Sequence, residues 1–325
     1  MHPKLSVIIP CYNLQDSLGY CFESILKQDN SRVEYIFIND GSSDLTLNLI
    51  ADFAIGKPYI RIFDKSNGGV SSARNLGLDN VHGDYIYLLD GDDALCDYAI
   101  INILKIIDKY SPDIILSAVE IENGNNRFIK FIGLNEGVYS PEDIYSKLSV
   151  FPLIPQLVYK NSIITDNKFR FNEKIAVGEV YEFSLKILSK TYTIAVTDNV
   201  YFRYINRITS ATRSVNIIKD KTILETLRSY NYWGTRFINF DSFIITNFKL
   251  LMSFTYNKYA KKGLFDIDII KNLNEILSNQ LVKNIIYKIL ILSRTSLKDR
   301  LLAMYVYFTG VWGYKVIAFI NKKCK

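Results

Sequence analysis

The chain has 325 residues, of which 49% are hydrophobic and 22% charged, a balance typical of a folded protein with a sizeable core. The net charge of +6 comes from the segment 281–325, where nine Lys and Arg accompany one acid, so the slightly acidic remainder argues against a nucleic-acid binder. Four cysteines without a CxxC pair and only two histidines argue against a zinc or histidine-rich centre and predict free thiols in a reducing compartment.

The apolar run at the N-terminus is too short for a signal peptide, which predicts a cytoplasmic protein. Over the first 120 residues, β-branched and aromatic stretches alternate with helix-like stretches. Strands are predicted at 5–10, 33–39, 59–63, 84–89 and 113–119, and helices near 14–27, 44–54, 70–80 and 97–110, with Asp44 and Asp97 as helix caps. This alternation predicts an α/β fold with a mostly parallel sheet, in which ligands bind at the carboxyl ends of the strands.

The second part of the chain is less regular. A hairpin is predicted around 123–126, a helix over 178–190 and a strand over 192–197. After about residue 217 nearly every stretch reads as helix, and no proline interrupts it.

The stretch LLDGDD (88–93) ends a buried strand in three carboxylates. On an extended strand end, residues i and i+2 point the same way, so Asp90 and Asp92 can reach one cation together. Hard carboxylate oxygens suit Mg²⁺ or Mn²⁺. The alternative is a solvated acidic turn that caps the next helix.

Two further motifs follow predicted strands. In FINDGSSD (37–44), Asp40 can accept a hydrogen bond from a base or a ribose. The alternative is that Asp40 or Ser42 caps the helix that follows. In NGGVSSARNLGL (67–78), Gly68 and Gly69 precede a helix N-terminus, where free N–H groups favour anions, and Arg74 lies one turn further on. A sharp turn alone also explains the two glycines.

Together with SVIIPCYN (6–13), these motifs resemble the family 2 glycosyltransferases in their order and separations. The resemblance is specific over residues 4–120 and weaker over 171–188 and 201–213. It implies an α/β GT-A fold, a Rossmann-like sheet that binds nucleotide-diphospho-sugars. It further implies a catalytic domain over 1–215, with a nucleotide-sugar-binding half (1–120) and an acceptor-binding half (121–215), followed by a helical C-terminal region over 216–325.

The resemblance also implies residue roles. Pro10, Tyr12 and Asp40 would hold the nucleotide, usually uridine, and Arg74 and Asn75 would lie near the diphosphate and the donor sugar. Asp90 and Asp92 would form the DxD pair that binds Mn²⁺ or Mg²⁺, and Asp93 would lie near the donor sugar or the acceptor. Arg207 would help to close the site over the diphosphate, unless it belongs to an ordinary basic surface loop.

Members of this family generally invert the anomeric centre, which requires a general base. The family usually has Gly-Glu-Asp, with the Asp as the base, whereas this chain has Gly178, Glu179 and Val180. Valine cannot accept a proton. Glu179 is therefore predicted to be the base, and Glu182, one helical turn further on, is the next carboxylate.

The resemblance implies transfer of a hexose, glucose or galactose by default, from a UDP-sugar with formation of a β-linkage. The apolar and basic tail suits an acceptor carried on a membrane lipid, which predicts a lipid-linked saccharide such as GlcNAc-diphospho-undecaprenol, in bacterial O-antigen or capsule synthesis. A nucleotidyltransferase would need a glycine-rich, basic loop after the first strand, and PCYNLQDSL contains none. A catalytically weak or non-catalytic sugar-nucleotide-binding protein is the remaining alternative, because of Val180.

The tail over 297–325 is apolar, aromatic and basic. Its uncharged stretch, 301–314, is shorter than the roughly 20 residues that span a bilayer. It is predicted to lie on the inner face of the cell membrane as an interfacial helix, which would make the protein peripheral there. The alternative is a helix packed on the catalytic domain.

Overall fold

The computed structural model describes residues 2–124, 126–147, 156–175, 178–205, 223–234 and 275–291. The chain divides into two compact units, the first comprising 1–173 and 179–210 and the second 174–178 and 211–325. The functional division into 1–120, 121–215 and 216–325 stays a prediction.

Within the described ranges, the first unit is built on a ten-stranded mixed sheet with the order β3-β2-β1-β4-β9-β6-β10-β5, while β7 pairs with β6 and β8 with β10. Strands β1 to β4 run parallel, β9 is antiparallel to both β4 and β6, and β10 is parallel to β6. The strands are β1 (Leu5–Cys11), β2 (Val33–Asp40), β3 (Ile60–Lys65), β4 (Tyr85–Leu88), β5 (Ala94–Leu95), β6 (Ile114–Asn123), β7 (Asn126–Lys130), β8 (Gly137–Tyr139), β9 (Leu157–Lys160) and β10 (Ile194–Ile205).

Seven of the described helices belong to this unit, and two belong to the second. The first unit has α1 (Leu18–Leu26), α2 (Thr46–Ala54), α3 (Val70–Asp79), α4 (Ala99–Tyr110), α5 (Pro141–Lys147), α6 (Asn161–Asp166) and α7 (Glu179–Leu188). The second has α8 (Ile223–Gly234) and α9 (Gln280–Ile291).

The sequence pattern explains the core. Strands β1 and β2 are buried along their whole length, as expected for continuous apolar strands in the middle of a sheet. Helix α4 buries residues spaced three and four apart, among them Ile100, Ile103 and Ile107, and these join one cluster with residues of α1 and the sheet. Helices α1 and α4 therefore cover one face of the sheet, each with an apolar stripe.

All the strands and helices predicted for the first 120 residues are present, as are the hairpin of β6 and β7 and the helix and strand predicted over 178–197. The predicted cap Asp97 is wrong, because α4 begins only after Tyr98, whose left-handed backbone forms the turn. Asp44 lies one residue before the capping position, but its carboxylate accepts a hydrogen bond from the N–H of Thr46 at 3.0 Å. Cys11, Cys21 and Cys96 are free thiols, as predicted.

Helix α3 packs against the opposite face of β1, and a glycine permits the contact. A Cβ on Gly77 would overlap Cγ2 of Ile8, which is fully buried. We expect Gly77→Ala to destabilise the fold by about 1–3 kcal/mol through overpacking. Gly19→Ala in α1 is the matched control, since nothing lies within 4 Å of its new Cβ, and it should be neutral or stabilising by up to about 1 kcal/mol. Denaturant unfolding of both variants tests this, and equal effects would contradict it.

In the second unit, α8 contacts the segment that precedes α7 in the sequence. The hydroxyl of Tyr230 donates to the carbonyl oxygen of Gly178 at 2.9 Å. Gly178 has a φ of +86°, and a Cβ there would overlap the Tyr230 hydroxyl. Both conformation and space therefore require glycine at this position.

No helix within the described ranges is both long and apolar enough to cross a membrane. The predicted interfacial helix over 297–325 lies outside those ranges.

Candidate active site

The carboxyl ends of β2, β1 and β4 lie side by side, since β1 pairs with both neighbours. The register places Cys11 opposite Asn39 and Ile8 opposite Leu88. Asp90 comes two residues after the end of β4. The polar residues that follow these strands are therefore brought together, as the sequence predicts.

A hydrogen-bond network joins the loops after β1 and β2. The N–H of Asn13 donates to Oγ of Ser42 at 3.0 Å, and the N–H of Ser43 returns a bond to Oδ1 of Asn13 at 2.9 Å. The N–H of Leu14 donates to Oγ1 of Thr46 at 2.7 Å. Sequence reasoning missed this role for Asn13, although Asn is among the residues that tolerate its φ of +51°.

Tyr12 and Pro10 differ sharply in accessibility. Tyr12 is 50% exposed, which leaves its ring open to a planar ligand such as a base. Pro10 is buried within β1. A Cβ on Gly91 would lie 3.1 Å from the carbonyl oxygen of Pro10 and 2.9 Å from Sγ of Cys11. Pro10 therefore helps to seat the loop after β4, and glycine at 91 permits the close approach.

Asp40 is buried, and both of its carboxylate oxygens accept hydrogen bonds from the end of β3 and the loop that follows it. Oδ1 accepts from Nζ of Lys65 at 2.7 Å and from the N–H of Gly68 at 2.9 Å, while Oδ2 accepts from the N–H of Gly69 at 2.8 Å. The carboxylate therefore serves as an internal anion where α3 begins. The amides of Gly68 and Gly69, which were predicted to favour an anion, are paired with this carboxylate.

This geometry gives Asp40 a structural role that can be measured. We expect Asp40→Ala to lower the free energy of unfolding by about 3–5 kcal/mol, because it leaves Lys65 and two amides without their buried partner. Asp64→Ala is the control at the end of β3, where an exposed carboxylate accepts one bond from Asn39, and it should cost about 1 kcal/mol. A stable Asp40→Ala protein that had lost only nucleotide affinity would contradict this role.

Arg74 bridges two carboxylates that are far apart in the sequence. Nη2 donates to Oδ1 of Asp90 at 2.7 Å, and Nη1 donates to Oε1 of Glu179 at 3.2 Å. The guanidinium is buried, which opposes its charge, but the two carboxylates outweigh burial and raise the pKa of Arg74 above its ordinary value. Asp90, the predicted metal ligand, and Glu179, the predicted base, are therefore joined through the buried guanidinium of Arg74.

Asn75 binds the chain rather than pointing freely towards a ligand. Its side-chain amide accepts from the N–H of Phe171 at 2.8 Å and donates to the carbonyl oxygen of Phe171 at 3.1 Å. It also donates to Oε1 of Glu173 at 3.0 Å. This two-way contact anchors the segment 171–173 on α3.

The residues at the end of β4 suit a hard divalent cation. The side chain of Asp90 is 40% exposed, and only its Oδ1 carries a hydrogen bond to a described residue. Gly91, between Asp90 and Asp92, lies against the end of β1, since a Cβ on it would be 2.9 Å from Sγ of Cys11. Burial is the main cause that raises the pKa of Cys11, and the neighbouring ionisable groups raise it further. No cluster of three potential ligands occurs in the described part of the chain, but Mg²⁺ is usually bound by one or two carboxylates together with phosphate oxygens and water.

Asp93 and Arg207 are two further residues of the predicted site. Asp93 is buried, and its Oδ1 accepts from the N–H of Ile205 at 3.1 Å, which ties the loop after β4 to the end of β10. Its role near the donor sugar or acceptor stays a prediction. Arg207 lies outside the described residues.

The two glutamates at the start of α7, Glu179 and Glu182, differ in burial and in partner. Glu179 is the first helical residue, and 13% of its side chain is exposed. Glu182 is almost fully buried and pairs with Lys186 at 2.8 Å. Val180 is partly exposed. Glu179 joins the group formed by Arg74 and Asp90 through its bond from Arg74.

The mixed sheet, with carboxylates where β4 ends, is a GT-A fold. It resembles residues 1–349 of TarS from Staphylococcus aureus in complex with UDP-GlcNAc, with a TM-score of 0.71 and 18% identity, over 99% of this chain and 92% of that one. It also resembles the mannosyltransferase PcManGT from Pyrobaculum calidifontis in complex with GDP-Man and Mn²⁺, with a TM-score of 0.54 and 12% identity, over 98% of this chain and 84% of that one.

Residues 6–166 match the model of glycosyl transferase family 2, so this part of the chain belongs to that family. It is 31% identical to the glycosyltransferase GlyA of Streptococcus pneumoniae over 46% of this chain and 21% of that protein. It is 29% identical to TarP of S. aureus, a poly(ribitol-phosphate) β-N-acetylglucosaminyltransferase, over 66% of each. It is 28% identical to the hyaluronan synthase of Pasteurella multocida over 83% of this chain and 27% of that protein. The chain thus spans between a fifth and two thirds of the length of these relatives.

Proposed function

We propose that this protein is an inverting glycosyltransferase that moves a sugar from a UDP-sugar to a saccharide acceptor and forms a β-linkage. The observation that carries the proposal is the Arg74 bridge, which joins a carboxylate for the donor's cation, Asp90, to a carboxylate near the acceptor, Glu179. Several relatives supply independent support, since their names describe transferases that form β-linkages.

In the proposed reaction, an acceptor hydroxyl attacks the anomeric carbon while the bond from that carbon to the diphosphate oxygen breaks. Glu179 takes the hydroxyl proton, and UDP leaves with the bonding electrons. Asp90 and Asp92 would hold a Mn²⁺ or Mg²⁺ ion, which when bound stabilises the negative charge that develops on the leaving diphosphate. Tyr12 offers its exposed ring to the base, and the loops joined by Asn13 and Ser42 form the wall beside it.

We also propose a donor sugar and an acceptor class. Glucose or galactose is the default donor sugar. GlcNAc is a further candidate, because TarS was solved in complex with UDP-GlcNAc. A lipid-linked saccharide such as GlcNAc-diphospho-undecaprenol, used in bacterial surface polysaccharide synthesis, is the proposed acceptor. Such an acceptor would place the protein in the cytoplasm and on the inner face of the membrane. A poly(ribitol-phosphate) chain is the second candidate, because several relatives are named for that acceptor.

A transfer assay tests the proposal. Radiolabelled UDP-glucose, UDP-galactose, UDP-GlcNAc and UDP-GalNAc are each offered with a GlcNAc-diphospho-lipid or with poly(ribitol phosphate), in Mn²⁺ and in EDTA. Metal-dependent product from one donor is expected, and the acceptor that yields it identifies the acceptor class. UDP binding without any acceptor-dependent UDP release would instead favour a non-catalytic sugar-nucleotide-binding protein, the alternative suggested by Val180.

A further inference from the structure

Arg74 has little surface left for a ligand. Only 3% of the residue is exposed, and the ring of Phe171 lies 5.4 Å from its guanidinium carbon. Its two terminal nitrogens donate to Asp90 and Glu179, and its Nε is buried without a hydrogen-bond partner among the described residues. A buried N–H without a partner costs free energy. Since the guanidinium keeps this position despite that cost, its bonds to the two carboxylates determine where it lies.

We propose that Arg74 is a positioning residue, which orients Glu179 and Asp90 towards each other and does not bind the diphosphate itself. This inference rests on the proposed transfer reaction. It assigns the arginine of the motif NGGVSSARN to the protein interior, whereas the family resemblance places it near the diphosphate.

The hydrogen bonds show how one cation can orient two functional groups. Arg74 holds one oxygen of each carboxylate, Oδ1 of Asp90 and Oε1 of Glu179. The second oxygen of each has no hydrogen bond to a described residue. Oδ2 of Asp90 is thereby available to a divalent cation, and Oε2 of Glu179 to an acceptor hydroxyl. A planar guanidinium fixes both directions at once, which a single ammonium group cannot do.

Because both carboxylates pair with the guanidinium of Arg74, a change at one of them affects the other. When the charge of Glu179 is removed, the positive charge of Arg74 is left to Asp90 alone. A cation that binds Asp90 must then compete with a stronger ion pair. Since coupling between linked sites is typically at least about fivefold, we expect Glu179→Gln to weaken Mn²⁺ binding to the UDP complex about 5- to 10-fold, although Glu179 is not a metal ligand.

Electron paramagnetic resonance of free Mn²⁺ measures this affinity without any sugar transfer. Mn²⁺ is titrated into the protein with saturating UDP, for the wild type, Glu179→Gln and the control Glu173→Gln. Glu173 is exposed, lies close by in sequence and pairs with Asn75 instead of Arg74, so its variant should bind Mn²⁺ as the wild type does. Unchanged Mn²⁺ affinity in Glu179→Gln would overturn the inference. A wild-type protein that bound no Mn²⁺ with UDP would overturn the proposed function as well, so the two failures are distinguishable.

Arg74→Lys separates positioning from phosphate binding, because lysine retains the charge and binds phosphates well. A positioning role predicts that kcat falls about 100-fold, as misplacement of reacting groups commonly does, while the KM for the UDP-sugar stays within about threefold. A phosphate-binding role predicts instead that lysine nearly preserves both kcat and KM, and that result would contradict the inference. Thermal unfolding of the variant confirms that it is folded before the kinetics are compared.

Discussion

Asp90→Asn is expected to lower kcat/KM for sugar transfer about 10³-fold, because the loss of about 4 kcal/mol of charge stabilisation at the diphosphate has that effect on rate. The substitution keeps the size of the side chain but removes the charge that would attract a divalent cation. It also removes the charged partner of Arg74 at 2.7 Å. Binding of UDP should become insensitive to Mn²⁺, which titration calorimetry in Mn²⁺ and in EDTA measures directly.

The chain offers a matched control for this substitution. Asp97 follows β5 and is exposed, and the structure gives it no hydrogen bond to a described residue. Asp97→Asn should keep both the rate of transfer and its metal dependence. If Asp90→Asn retained wild-type metal dependence, the assignment of the end of β4 as the cation site would be wrong.

Glu179→Gln is expected to lower kcat about 10²- to 10⁴-fold, the usual contribution of a positioned general base. Glutamine is similar in shape and can still accept from Arg74, so the fold should persist, and so should the binding of UDP at saturating Mn²⁺. Initial rates at saturating donor and acceptor, with UDP affinity measured in parallel, test this. Full turnover by the variant would remove Glu179 as the base.

A second substitution tests whether the position of the base can be exchanged. Val180 occupies the place where the family usually has Asp, and it is partly exposed on α7. In the Glu179→Gln background, Val180→Asp should restore at least about tenfold of the lost rate, since a carboxylate would again be available to the acceptor hydroxyl. Val180→Ala in the same background is the control, and it should restore nothing.

Sequence pattern predicts the local elements of this protein well. The strands of the first half are continuous apolar runs, and helix α4 carries an apolar stripe with helical spacing, so each element is specified by its own residues. The insertion of β9 between β4 and β6 could not be predicted in this way. That pairing depends on contacts between residues such as Tyr87 and Val158, which are distant in the sequence and carry no register signal.

The candidate site shows a similar division. The pair Asp90 and Asp92 is recognisable because carboxylates rarely end a buried strand without a purpose. The partners of Asp40 and Arg74 are not recognisable, since a carboxylate suited to a nucleotide is equally suited to the amides of Gly68 and Gly69. Only the folded structure reveals that the chain itself satisfies these groups. Asn75 is a parallel case, with Phe171 as its partner.

The measurement that tests the central claim most directly is calorimetric titration of UDP into the wild-type protein, once with Mn²⁺ and once with EDTA. If the end of β4 holds a cation that bridges to the diphosphate, saturable binding is expected in Mn²⁺ and affinity should fall at least about tenfold, or 1.4 kcal/mol, in EDTA. Binding of equal affinity in both buffers, or no binding in either, would contradict the proposed nucleotide-sugar site.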